Sequence, residues 1–288
     1  MLSLLFLACL TSKQDTSDIS EYTEIASGTF SVLTYNIHGL PPQITGDNTT
    51  ERIEKITPLL NAYDFVGLQE DFIDENHMII EEGIEHSSIH RFDEIQEDRF
   101  YGSGLSFLGS LKQEIVNDYQ ETHFDSCYGY VDHASDCLSS KGFQKVRFQL
   151  AHDCFVDFYN THLEAGNAEE DHQVRELQVD MIVSSVKNTP TDTMVVFLGD
   201  TNIQPSDPME TDLWNQFLED GMFLDSCEAT SCPEEDHIDR IWYWNTNHIE
   251  SCRLEAKQWN NESDFFDEQG IPLSDHPALS VFFEWSQL

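Results

Sequence analysis

Apolar residues fall in short runs bounded by polar ones along most of the chain. Eight runs read as strands: Ser31–Ile37, Asp64–Gln69, Gly104–Leu108, Lys145–Leu150, Phe155–Thr161, Met194–Gly199, Ile238–Trp244 and Ala278–Trp285. Two stretches switch to helical spacing. From Glu51 to Ala62, Ile53, Ile56, Leu59 and Leu60 share one face, with Asn48 placed to cap the helix. From Glu169 to Val186, the residues Val174, Leu177, Met181 and Val186 are predicted to face inward. Many strands, few helices, no fixed repeat and no clear linker predict an α/β protein. Its sheets pack together with helices outside, as one domain over residues 28–288 after a polar leader 1–27.

The runs share a second feature, in that polar groups stand at their ends. Asn36 follows Val32-Leu33-Thr34-Tyr35, and Glu70 follows Phe65–Gln69. His162 follows Phe155–Thr161, with Asn160 just before it, and Asp200 and Asn202 close the run at Met194. Asp239 opens the penultimate strand, and Asp275-His276 stand just before the last. In Gly199-Asp200-Thr201-Asn202 a carboxylate and a carboxamide are two residues apart, which puts both on one side of a continuing strand. Taken singly, each residue has an ordinary turn or cap reading. The recurrence favours chemistry. Carboxylates, carboxamides and histidines without lysine or cysteine form an oxygen-rich site suited to a hard cation such as Mg²⁺ or Mn²⁺.

These segments resemble the endonuclease/exonuclease/phosphatase superfamily, the deoxyribonuclease I-like proteins. The resemblance lies in Leu33-Thr34-Tyr35-Asn36, Val66-Gly67-Leu68-Gln69-Glu70, Asn160-Thr161-His162-Leu163, Gly199-Asp200-Thr201-Asn202, Ile238-Asp239 and Ser274-Asp275-His276. They occur in family order over about residues 30–285, and Thr201 departs from the aromatic residue or Leu common there. The resemblance implies a four-layer α/β/β/α sandwich of two stacked mixed sheets with outer helices. It implies a cation held by Glu70, with Asn36 and Asp275 nearby, and metal-assisted in-line attack of water on a phosphoester. Asp200 and Asn202 would orient the water and a phosphate oxygen, and His276, steadied by Asp239, would serve as general base. His162 would donate to the phosphoryl group or the leaving oxygen, and Asn160 would bind substrate. Whether Asp200 or the His276/Asp239 pair takes the proton stays open at this level.

Composition narrows the partner. With 39% apolar and 11% aromatic residues the chain is built to fold. Its 14 basic and 54 acidic side chains give a net charge of −40, spread along the length, which repels polyanions and anionic membranes. Solubility accounts for most of this charge, and nucleic acid is disfavoured as a partner. The opening Met1-Leu2-Ser3-Leu4-Leu5-Phe6-Leu7-Ala8-Cys9 is too short to span a bilayer and resembles a lipoprotein export signal, with Cys9 as the lipidation candidate. The expectation is an exported protein, whether periplasmic, outer-membrane lipoprotein or secreted. The six further cysteines then read as disulfides, with Cys127/Cys137 and Cys227/Cys232 as local staples, because no Cys-x-x-Cys spacing supports zinc.

Within the superfamily, Lys141-Gly142-Phe143 resembles a segment of the bacterial neutral sphingomyelinase-like branch. Tyr101-Gly102-Ser103-Gly104-Leu105 and Arg175/Gln178 fit it as well. That implies an exported phosphodiesterase of phospholipase C type, acting as a monomer on a phospholipid or other phosphoester, with possible association to a membrane surface. The alternative is a secreted nuclease or phosphomonoesterase such as a phosphoinositide phosphatase. Only Lys141, Lys145, Arg147, Arg175 and Arg240 stand near the motifs as a basic rim for it. A catalytically silent surface lipoprotein is disfavoured by the intact polar set. Exposed aromatics for a membrane would come from Phe265-Phe266 or Trp259, whereas Trp242-Tyr243-Trp244 reads as strand packing.

Overall fold

A computed structural model describes residues 26–46, 48–110, 118–130, 133–233, 237–244 and 250–288. The export leader and Cys9 lie outside the described residues.

The strands of the first sheet are β1 (Ser27–Asn36), β2 (Phe65–Gln69), β3 (Ser88–Phe92), β4 (Leu105–Gly109), β11 (Cys252–Asn261) and β12 (Leu279–Gln287), ordered β11-β12-β1-β2-β4-β3. The second sheet holds β5 (Asp118–His123), β6 (Gly142–Ala151), β7 (Cys154–His162), β8 (Thr193–Asp200), β9 (Phe223–Asp225) and β10 (Asp239–Trp244), ordered β5-β6-β7-β8-β10-β9. Each sheet has a parallel pair at its centre, β1 with β2 and β7 with β8, and antiparallel neighbours outside. The parallel pairs bring four strand ends to one edge of the molecule.

Strand alternation builds the layers. Phe30, Phe65, Phe107, Phe148 and Phe158 pack into one cluster between the sheets, with Phe65 and Phe158 ring centroids 4.1 Å apart. The opposite face of the first sheet, carrying Leu33, Tyr35, Val66 and Leu68, is covered by α2 (Thr49–Leu60) and α3 (Asp74–Gly83). The second sheet carries α4 (Glu169–Lys187) and α5 (Thr211–Gly221) outside. Two short helices, α1 (Pro42–Thr45) and α6 (Ser226–Thr230), are the other α-helices among the described residues. The result is the α/β/β/α sandwich.

The helix α2 forms as its spacing predicts, with the Asn48 side chain accepting from Glu51 N–H at 3.4 Å. The inward stripe of α4 is rotated from the expected one. Arg175, Gln178, Val179, Ile182, Val183 and Val186 are buried, whereas Leu177 is 52% exposed. The buried Arg175 explains the shift: it bonds Glu210 at 2.8 Å and the carbonyls of Glu164 and Gly166, so a polar network pulls this face in. The strands β3, β5, β9 and β11 and the helices α3 and α5 form in addition to the elements that the apolar spacing predicts. β5 is largely polar and has no buried position, so it shows no apolar run.

Three disulfides form, Cys127–Cys137 and Cys227–Cys232 as local staples and Cys154–Cys252 joining β7 to β11 across the two sheets. Such bonds fit an oxidising, extracytoplasmic compartment. Among the described residues no helix is long and apolar enough to cross a membrane. Trp242 and Trp244 are buried in the core, as strand packing predicts. The Phe265-Phe266 pair divides: Phe265 plugs the helix-side core against Tyr35, and Phe266 is 44% exposed. Trp259 packs against the inter-sheet core.

Candidate active site

The inter-sheet face ends in polar side chains because strand parity carries through to the strand ends. On β7, Phe158, Asn160 and His162 share the inner face, and on β8 so do Val196, Leu198 and Asp200. Pairing places His162 opposite Asp200 and Asp200 opposite Asp239. β1 brings Asn36 to the same edge, and Ser274 ties the segment before β12 to it by donating from Oγ to the Asn36 carbonyl at 2.6 Å. Residues up to 240 positions apart thereby meet.

Asn36 Nδ2 stands 3.0 Å from Glu70 Oε1, 3.1 Å from Asp200 Oδ2 and 3.5 Å from His276 Nε2. Its carboxamide oxygen accepts from His38 N–H, so Asn36 meets both carboxylates as a donor. His162 Nε2 is 3.5 Å and His276 Nε2 3.7 Å from Asp200 Oδ2. His276 Nδ1 lies 2.8 Å from Asp239 Oδ2. Asn202 is placed by a left-handed turn (φ 51°) in which its N–H donates to Asp200 Oδ1 at 3.0 Å, not by a continuing strand. The departing residue Thr201 anchors that turn by donating from Oγ1 to the Ile238 carbonyl at 2.7 Å. Asp275 sits at the edge, its side chain 59% exposed and its Oδ1 3.2 Å from His38 Nδ1, which is itself 3.7 Å from Glu70 Oε2.

Asn160, expected to bind substrate, lies fully buried behind the site. Its Oδ1 accepts from Gln69 Nε2 at 2.8 Å, and its Nδ2 is shared among the Leu68 and Ser106 carbonyls and Gln144 Oε1. The carboxamide thus bolts β7 to β2 and β4. Gly67 makes room for this contact, since a Cβ there would stand 2.3 Å from Leu198 Cδ1 and 2.8 Å from Asn160 Oδ1.

Sequence reasoning missed His38 because its left-handed backbone (φ 48°) turns it beside Glu70 and Asp275 just past the strand end. It places Lys141 in a branch resemblance and near the motifs, without a role in the site. Lys141 is buried, with Nζ 2.5 Å from Asp136 Oδ1 and donating to the Leu163 carbonyl at 2.6 Å, and it lines the cleft. The other basic residues near the motifs are spent elsewhere. Lys145 and Arg147 pair with Asp157, Arg175 with Glu210, and Arg240 lies over the Trp214 ring near Asp225. Gln178 is likewise internal, holding the Glu164 N–H.

The groups open into a cleft of about 510 Å³ with Glu70, His162, Asp200, Asn202 and His276 on its floor. Leu40, Ile44, Phe72, Tyr101, Leu138 and Ala165 form mainly apolar walls. Burial lowers the His162 pKa, aided by the Lys141 charge, and keeps the ring neutral. Burial opposes ionisation of Asp200 too, but His162, His276 and the donors Asn36 and Asn202 outweigh it and hold the carboxyl below its usual range. Burial lowers His276, yet Asp239, Asp200 and Asp275 overcome this and raise it to about 10. A cation nearby would oppose that imidazolium and restore the ring as an acceptor.

The donor set fits a divalent cation. Glu70 Oε2 is buried with no hydrogen-bond partner, an acceptor left for a ligand the protein itself does not supply. Asp200, Asp239 and His276 also bring ligand atoms within 4.8 Å of one another. In that trio Asp239 Oδ2 is engaged by the imidazole, while Asp239 Oδ1 is buried with no hydrogen-bond partner.

Comparison with known proteins agrees with this architecture. The model of endonuclease/exonuclease/phosphatase family 2 matches residues 75–222, just over half of the chain, and the chain belongs to that family. A sphingomyelinase of Mycobacterium tuberculosis is 26% identical over 281 residues, covering 91% of this chain and 54% of the relative. This chain therefore spans about half the length of the curated relatives it matches. Sphingomyelinase C from Streptomyces griseocarneus shares the fold at a TM-score of 0.64 and 19% identity, covering 88% of this chain and 99% of that one. So does a Staphylococcus aureus beta toxin mutant with bound magnesium ions, at 0.66 and 15%, with the same coverage.

Proposed function

We propose that this chain is a divalent-cation-dependent phosphodiesterase that releases the phosphorylated headgroup of a phospholipid, with sphingomyelin as its substrate. The observation that carries the reading is the Glu70–Asn36–Asp200–His276–Asp239 cluster, of which Glu70, Asp200 and His276 line an apolar-walled cleft. The similarity to sphingomyelinases directs the choice of substrate. The acidic surface and the single lysine lining the cleft among the described residues disfavour a polyanion such as DNA.

Glu70 would hold Mg²⁺ or Mn²⁺, with Asn36 and Asp275 beside it, and the cation would neutralise charge developing on the phosphoryl oxygens. Asp200 and Asn202 orient water for in-line attack on phosphorus. The proton leaves this water for the His276/Asp239 pair as the phosphorus–oxygen bond to the lipid alcohol breaks, and the departing alkoxide takes up a proton from solvent to leave as the alcohol. His162 donates a hydrogen bond to the phosphoryl group or the departing oxygen. Leu40, Ile44, Phe72 and Tyr101 exclude water and accept the apolar side of the substrate. The same reading holds the protein to be exported and monomeric, meeting its substrate at a zwitterionic membrane surface.

The test is hydrolysis by the purified chain with Mg²⁺ of sphingomyelin, a phosphoinositide and plasmid DNA in parallel. Phosphocholine release that is lost in Glu70→Gln supports the proposal. Rapid cutting of DNA, or release of inorganic phosphate, with inert sphingomyelin would replace the substrate by that of a nuclease or a phosphomonoesterase.

A further inference from the structure

Glu70 has a left-handed backbone, φ 61°, which a side-chain-bearing residue keeps only where its surroundings over-determine it. The grip is on the next residue. Asp71 is 1% exposed, and its Oδ2 accepts from Ser106 Oγ at 2.6 Å and lies 2.5 Å from His77 Nδ1. Its N–H donates to the Gly104 carbonyl at 2.8 Å, and Arg91 Nη2 donates to its own carbonyl at 3.3 Å. Ser106 alternates with Phe107, which faces the inter-sheet core, so Ser106 looks toward the helix layer, where α3 carries His77. Asp71 is thus drawn into that layer while Glu70 turns to the cleft. On the other side, a Cβ on Gly39 would stand 2.3 Å from the Glu70 carbonyl oxygen, so the turn is closed against the neighbouring loop as well.

We infer that Asp71, clamped by Ser106 and His77, is a positioning residue that holds Glu70 in its left-handed turn and aims the carboxylate at the cation site. The inference rests on the proposed role of Glu70 as a cation ligand. The rival is a polar network that merely secures α3 to β4. Stability alone does not separate the two, but cation affinity per folded molecule does.

Calorimetric titration of the purified chain with Mn²⁺ and Mg²⁺, beside thermal unfolding, decides it. Asp71→Ala is expected to raise the cation Kd by about 10- to 100-fold at unchanged stoichiometry, the usual effect of losing a group that orients a ligand. Ser106→Ala should raise it less, and Asp71→Asn, which keeps an oxygen for Ser106, should recover part of the loss. An unchanged Kd with a lowered Tm overturns the inference and leaves the network structural. Should Asp71→Ala fail to fold, Ser106→Ala carries the decision by the same two readings. A wild-type chain that binds neither cation overturns the proposed function instead.

Discussion

Asp239 and His276 form one unit: carboxylate Oδ2 lies 2.8 Å from imidazole Nδ1, and the ring's other nitrogen faces Asp200 at 3.7 Å. The contact fixes which edge of the ring looks into the cleft. Asp239 reaches it from the start of β10 and His276 from the turn before β12, so the pair spans both sheets.

Removing the ring should therefore remove a chemical step and spare the fold. His276→Ala is expected to lower kcat by about 10²- to 10⁴-fold. Asp239→Asn should fall within the same range through loss of ring orientation. Steady-state kinetics against sphingomyelin checks this, with far-ultraviolet circular dichroism confirming folded protein. A His276→Ala chain that keeps most of its kcat would remove His276 from the reaction.

Asn160 should behave in the opposite way. Asn160→Ala strands Gln69, Gln144 and two carbonyls in the inter-sheet layer, and each uncompensated group costs about 1–3 kcal/mol. The expectation is a much lower urea midpoint with little change in KM among the molecules that stay folded. A large KM increase at unchanged stability would instead support the substrate-binding role expected from sequence.

The Cys154–Cys252 bridge closes a stretch with a sequence separation of 98 and joins the two sheets. Loop-closure entropy for that length is worth about 4–5 kcal/mol. Cys154→Ala/Cys252→Ala should unfold at a clearly lower temperature, whereas removing the bridge at separation 5, Cys227–Cys232, should cost less. Scanning calorimetry of both double variants gives the comparison, and the reverse order would contradict it.

Glu164 sets a pH dependence of stability. Burial, then the Asp136 charge, raise its pKa from 4.5 to about 7, partly offset by Lys141. The folded chain therefore binds this proton more tightly than the unfolded one. Its contribution is fully present below pH 4.5 and is lost as pH rises through about 7. Glu164→Gln should remove a loss on the order of 2–3 kcal/mol between pH 4.5 and 8. Urea midpoints at pH 5 and pH 8 test the slope, and identical slopes for variant and wild type would refute it.

Much of this was legible without coordinates. The apolar runs mark the main strands that carry site residues, because a buried strand needs continuous apolar side chains and a polar end stands out against it. Asn36, Glu70, His162, Asp200, Asn202 and His276 do meet, and the cysteines at short spacing do pair. The helix face of α4 was misread because Arg175 and Gln178 look like surface residues until their buried partners are known.

The sequence by itself determined the strands that carry continuous apolar runs and the polar groups that stand at their ends, since both follow from periodicity along a single segment. Only the tertiary structure decided that Asn160 bolts the sheets together, that His38 and Lys141 enter the site, and that Asp71 is gripped from the helix layer. Those outcomes depend on which strand faces which across the sandwich, and on left-handed turns at His38, Glu70 and Asn202 that redirect side chains where strand parity stops applying. Hydrogen bonds between residues far apart in the chain leave no local pattern, so their physical cause exists only once the sheets have stacked.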